Sequence, residues 1–139
     1  IVILGILAAF ALPRFADLGS DARTSAIRGA AGAIKSAAAI AHSKALAAGQ
    51  TDATGTITLE GASIGLVYGY PSASAILDAA QISSDDFEVN PTGTTPATIR
   101  AKGATTPAEC QVTYAEATSD SSTPPVITAP TVNVVVTGC

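Results

Sequence analysis

Four groups of side chains in this 139-residue sequence have types and spacings that could do chemistry. Gly61, Ser63 and Gly65 fit the G-x-S-x-G pattern of a nucleophile elbow, where a strand-to-helix turn lifts a serine hydroxyl toward a histidine base. That chemistry needs a histidine later in the chain than the serine. The one histidine here, His42, comes earlier, and the flanks of Ser63 read as strand, turn and strand. The glycines are therefore expected to serve a hairpin. Asp85, Asp86 and Glu88 offer oxygens to calcium, but the spaced acids and turn glycine of a known calcium loop are missing, so a solvated acidic turn is expected. His42 alone cannot build a metal site. No glycine-rich phosphate cradle is present. The basic residues form only one stripe on a helix, so no nucleic-acid partner is expected. Asn90-Pro91-Thr92 fails as a glycosylation sequon because proline stands in its middle. No catalytic set, cofactor site or metal site is expected, and the protein is read as a non-enzyme.

The fourth group is Cys110 and Cys139. Charged residues make up 13% of the chain, about half the usual share, and Thr, Ser and Gly are plentiful. That composition suits an exported protein, and an even cysteine count in such a chain favours a disulfide. Closing the ring would stabilise the fold by about 3.6 kcal/mol on the chain-entropy estimate. Neither cysteine sits in a C-x-x-C or beside a histidine, which leaves metal and redox roles without support.

The elements that must position these residues begin with an apolar run. Residues 1–12 (IVILGILAAFAL) carry no charge, and the chain contains no methionine. The expectation is that the start has been cut back and that an apolar segment preceded it. As a helix the run spans about 18 Å, against a hydrocarbon core of about 30 Å, so roughly seven to ten further apolar residues would complete a membrane span. Gly5 and Pro13 are weak points of that helix, the proline costing about 3 kcal/mol in an ordinary interior.

From 21 to 48 the period is helical. Ile27, Ala31, Ile34, Ala38, Ala41 and Ala45 fall on one face, and Arg28, Lys35 and His42 recur every seven residues beside it. Gly49 is a natural stop and 48–55 a loop. Beyond it the pattern turns to short strands at 56–59, 64–67, 87–89, 97–101, 111–115 and 132–137, with a short helix at 73–80 and a polar loop at 118–125. Charge divides the same way. Residues 1–50 hold five basic residues against two acids, whereas 51–139 hold two against nine. A basic stem and an acidic head can attract each other between subunits, or can be two separately solvated faces.

The stretch IVILGILAAFALPRFADLGSDAR closely resembles the N-terminal helix of type IV pilins, with Gly5 and Pro13 at its two breaks. Pro13-Arg14-Phe15, Asp21-Ala22-Arg23, Tyr68-Gly69-Tyr70-Pro71 and the run from Cys110 to Ala115 are similar to the MSHA-type (mannose-sensitive haemagglutinin) pilins of Gram-negative bacteria. The resemblance implies an α+β fold, with a long N-terminal helix on an antiparallel sheet and a C-terminal region closed by Cys110–Cys139. It divides the chain into a hydrophobic stem, 1–22, and a head, 23–139, with an αβ-loop at about 50–80. It further implies that Ile1, Val2, Ile3, Leu4, Ile6, Leu7, Phe10, Leu12 and Phe15 line a filament core. The implied partners are further copies of the chain in a helical polymer, an inner-membrane assembly machinery and a surface or glycan receptor. The implied location is an extracellular pilus, reached from the inner membrane. The family's type II secretion pseudopilins and minor pilins share the stem. A soluble sugar-binding module is the competing class.

Overall fold

The computed structural model describes residues 2–90 and 96–139, with side chains described from Leu18 onward. Ile1 lies outside the described residues, as do the side chains of Val2, Ile3, Leu4, Ile6, Leu7, Phe10, Leu12 and Phe15.

The fold is α+β. Helix α1 (Val2–Ala48) is followed by strands β1 (Gly55–Leu59), β2 (Ala62–Val67) and β3 (Tyr70–Pro71), a short helix α2 (Ile76–Ala80), and strands β4 (Phe87–Asn90) and β5 (Ala97–Ala101). A 3₁₀ turn (Pro107–Glu109) leads into β6 (Gln111–Ala115), β7 (Thr118–Ser119), β8 (Ile127–Thr128) and β9 (Thr131–Val135). All pairings are antiparallel, in sheets ordered β1-β2-β3, β4-β5-β6-β9 and β7-β8.

Helix α1 runs through Gly5 and Pro13 without interruption in the single chain. It ends where the periodicity places its end. Gly49 takes φ +67°, its N–H donates to the Leu46 carbonyl, and the Gln50 N–H donates to the Ala45 carbonyl at 2.8 Å. That pair of bonds satisfies two of the last helical carbonyls, as in a Schellman end.

The six apolar positions at helical spacing are all buried, Ile27, Ile34, Ala41 and Ala45 completely. Ile27, Ala31, Ile34 and Ala38 pack on Ile99, Val112 and Tyr114 of the larger sheet and on Ile76 and Leu77 of α2. Ala41 and Ala45 pack on Ile57, Ile64 and Leu66 of the smaller sheet. Alanines on this face bring the helix axis close to both sheets, so one helix can cover two of them.

Strand alternation decides which face meets the helix. Ile99 pairs with Val112 and Ala97 with Tyr114, all four fully buried. Their neighbours Arg100 and Gln111 point away, with the Arg100 Nε donating to the Gln111 Oε1 at 2.9 Å. A one-residue slip would exchange the two sets, so burial fixes the register. The Tyr114 hydroxyl ends in the interior, where it donates to the Pro71 carbonyl at 2.7 Å and ties β6 to β3. Burial first, then the charge of Glu116 and the nearby Tyr70, push this phenol well above the usual tyrosine range. Tyr114→Phe leaves the Pro71 carbonyl without its donor and is expected to cost about 1–3 kcal/mol, read by urea unfolding.

The short helix begins later than expected, at Ile76 instead of 73. The Glu116 carboxylate accepts the Ala73 N–H at 2.7 Å, and the Ser72 carbonyl accepts the N–H groups of Ala75 and Ile76, so 73–75 form a turn that leads into the helix. The 118–125 segment, expected as loop, starts with β7. Asp120 Oδ1 accepts from the N–H groups of Ser122 and Val126 and from the Ser122 hydroxyl, folding the segment back so that β8 pairs with β7. Those bonds favour the ionised form and hold the Asp120 carboxyl below its ordinary range, the Ser122 hydroxyl contributing most. A depressed carboxyl lends its stabilisation above the unfolded-state pKa and loses it as pH falls through the folded-state value. Protection of the Val126 amide from hydrogen exchange is therefore expected to hold through the normal aspartate range and to collapse only below it.

Candidate functional site

The residues with catalytic or metal-binding types are spread apart and committed to structure. Ser63 lies exposed on β2 opposite Thr58, and Leu59 pairs with Ala62 across the two-residue turn Glu60-Gly61. Both turn residues have positive φ, 50° and 82°, as a type I′ hairpin requires. Strand, turn and strand is the wrong setting for a nucleophile elbow.

Asp85, Asp86 and Glu88 are exposed, and no group of three potential metal ligands is found among the described residues. The turn before β4 is held by a side-chain cation. Lys102 Nζ donates to the Ser84 carbonyl at 2.7 Å and to the Asp85 carbonyl at 2.8 Å. The ammonium engages main-chain oxygens of this turn, and the three carboxylates remain exposed.

Cys110 and Cys139 form the disulfide, and both are buried. Around it the end of the described chain is tightly fixed. The Gly138 N–H donates to the Glu109 carbonyl, and the Thr106 N–H donates to the Gly138 carbonyl. A Cβ on residue 138 would stand 2.6 Å from Glu109 Cβ and 2.8 Å from the Thr106 carbonyl oxygen, so only glycine fits there. Arg23 Nε donates to the Cys139 carbonyl at 2.6 Å and joins this region to the helix.

What the fold does assemble lies along the two flanks of α1. On one flank Arg28, Gly32 and Lys35 border a groove whose far wall is Val134 and Val136. Further along the same line of the helix, His42 and Leu46 border a cleft with Thr51, Tyr68, Tyr70 and Ile127. The His42 and Tyr70 rings stack at 3.8 Å and within 3° of parallel, and His42 Nδ1 donates to the Gly69 carbonyl at 2.9 Å. Tyr68 precedes Gly69 in a second two-residue turn with φ +51°, uncommon for a bulky residue. Its N–H donates to the Asp52 carbonyl at 3.0 Å. The other flank carries Lys44, whose ammonium bonds the Thr58 carbonyl of β1.

The basic stripe read from the sequence is thus real, but its members part company. Arg28 and Lys35 stay exposed, whereas His42 is half-buried under Tyr70. The Tyr68, Tyr70 and His42 cluster was not foreseen from spacing, because its members come from a helix and a hairpin. The surface also exposes Ile40, Leu46, Val126 and Leu18, each 58–60% accessible.

No helix among the described residues is long and apolar enough to cross a membrane. Compared with protein-family models, curated proteins and solved structures, the chain has no match.

Proposed function

We propose that the chain is the major structural subunit of a type IV pilus, polymerising through its N-terminal helix into a surface filament for attachment. One observation carries this reading: the side chains that α1 buries in the core begin at Ile27, and ahead of it Arg23 reaches the Cys139 carbonyl. Among the described side chains, those from Leu18 to Ala26 are exposed or half-exposed, and the same helix continues back to Val2. A helix with an uncharged first dozen residues and, among its described side chains, none buried ahead of Ile27 wants other copies around it.

Three further features support the proposal. Long helix, antiparallel sheets and a disulfide-closed end have the order expected of a pilin. On this reading residues 1–22 form the stem at the filament centre, where Gly5 and Pro13 allow the helix to give up hydrogen bonds and extend. Burial of the apolar stem, at roughly 25 cal/mol per Å², drives assembly. The closed cysteine ring, and the 118–125 segment folded back on Asp120, favour a pilin over a type II secretion pseudopilin. On the same reading the inner-membrane assembly machinery inserts the subunit, and the head faces surfaces or a receptor outside the cell.

Electron microscopy and immunolabelling of material sheared from the cell surface test the proposal. Filaments that label along their length with antibody to this chain are expected. Surface material without such filaments, together with a chain that stays monomeric and soluble in the absence of detergent, overturns it.

A further inference from the structure

The head has two clefts of opposite charge, and they lie on opposite flanks of α1. The groove between α1 and β9 has Arg28 and Lys35 on its rim and Val134 and Val136 as its wall, with no acidic lining residue. The second cleft lies between the β1–β2 turn and α2. Glu60 and Asp78 line it together with Leu77 and Ile82, and no basic residue does. The exposed Asp85 and Asp86 follow directly on its Ser83 wall. Two lysines near this cleft are engaged by main-chain oxygens, Lys102 by the Ser84 and Asp85 carbonyls and Lys44 by the Thr58 carbonyl.

Helix geometry fixes how the two clefts are disposed. Lys35 borders the basic groove, and Lys44 bonds the Thr58 carbonyl beside the hairpin whose turn forms the acidic cleft. At about 100° per residue, the step from 35 to 44 turns the helix by roughly half a revolution from either lysine to the other. β9 is an edge strand of its sheet, so its outer side is unpaired by that sheet, and Val134 and Val135 remain 38% and 37% exposed.

We infer that the basic α1–β9 groove of each copy docks the acidic α2–hairpin cleft of a second copy, head to tail. This rests on the filament reading for its context, and it names the faces involved. Contact between unlike patches on opposite flanks is heterologous: each added copy leaves one groove and one cleft free. Such an interface gives a ring where the rotation between copies closes and an open helical polymer, which the filament reading requires, where it does not. Complementary rims set the orientation and reject like-with-like contacts, while the valines meet Leu77 and Ile82 at the centre.

Cysteine cross-linking of the full-length chain tests it. Gly32→Cys places a thiol in the basic groove, where an added Cβ meets nothing within 4 Å, and Asp78→Cys places one in the acidic cleft. With a short bis-maleimide, the double variant is expected to give a ladder of dimer, trimer and higher species, and each single variant only monomer. Adding Arg28→Glu and Lys35→Glu to the double variant, or raising salt from about 0.05 to 0.5 M, should cut the yield at least fivefold, as screening of exposed charges demands. A single variant that dimerises, or a double variant without a ladder, overturns the inference. Sedimentation of the unmodified chain reads the filament proposal separately: sedimenting filaments with no ladder leave that proposal standing and remove only these faces.

Discussion

Leu7→Asp is expected to abolish sedimentable filaments while leaving the unfolding transition of the head where it was. The first twelve residues carry no charge. In the proposed filament they meet the same segment of neighbouring copies, away from water. A carboxylate placed there must be buried without a partner or protonated, and either route costs several kcal/mol for each subunit. A penalty of about 4 kcal/mol raises the concentration needed for assembly by roughly a thousandfold. The head has no reason to respond, because its described core starts at Ile27 and is closed by β5, β6 and α2. Ultracentrifugation of sheared material and thermal unfolding of detergent-dispersed subunits read the two halves of the prediction. Filaments at the normal level would place the stem outside the core and remove the basis of the proposed assembly.

The second large effect is on the head. Replacing Cys110 and Cys139 together with serine is expected to destabilise it by about 3.6 kcal/mol, the chain-entropy value for a ring of this span. The two positions are 29 apart in sequence. In a chain of this size that corresponds to a fall in Tm of roughly 10 °C. The ring holds more than itself. Without it, the exchange of bonds among Thr106, Glu109 and Gly138 and the Arg23 bond to the Cys139 carbonyl must hold the end of the sheet unaided. Serine at both sites also buries two hydroxyls where the sulfurs lay, beside Val112 and Ile99 in the same cluster. Differential scanning calorimetry of the wild type and the double variant measures the effect. Equal transition temperatures would show that the hydrogen bonds alone fix this end.

Much of the architecture was legible because it follows from local period. The six helix positions from Ile27 to Ala45 repeat at helical spacing, and the structure buries every one. Strands β5 and β6 have the bounds expected of them, because Ile99, Val112 and Tyr114 alternate with polar neighbours and each strand buries one face. The two cysteines announced their pairing by number and by the company they keep. Ser63 and the acids at 85–88 were rightly assigned to a hairpin and to an exposed turn, since neither had the neighbours in sequence that its chemistry requires.

What sequence reading missed depended on groups far apart in the chain. The turn ahead of α2 is held in part by Glu116, which accepts the Ala73 N–H from 43 residues away. β7 and β8 pair because Asp120 gathers three donors, an arrangement that looks in sequence like any polar loop. His42 sits among lysine and arginine at heptad spacing, yet it stacks on Tyr70, carried to it by a turn with Tyr68 at positive φ.

The sequence by itself determined the uncharged apolar run at 1–12, the buried face of the helix, the alternating strands and the cysteine pair, for these are patterns among near neighbours or counts. Only the tertiary structure decided that β9 pairs with β6 beside the basic stripe and that the hairpin and α2 enclose an acidic cleft on the other flank. Such juxtapositions come from packing two sheets on a single helix, and no local period encodes which flank each sheet will occupy.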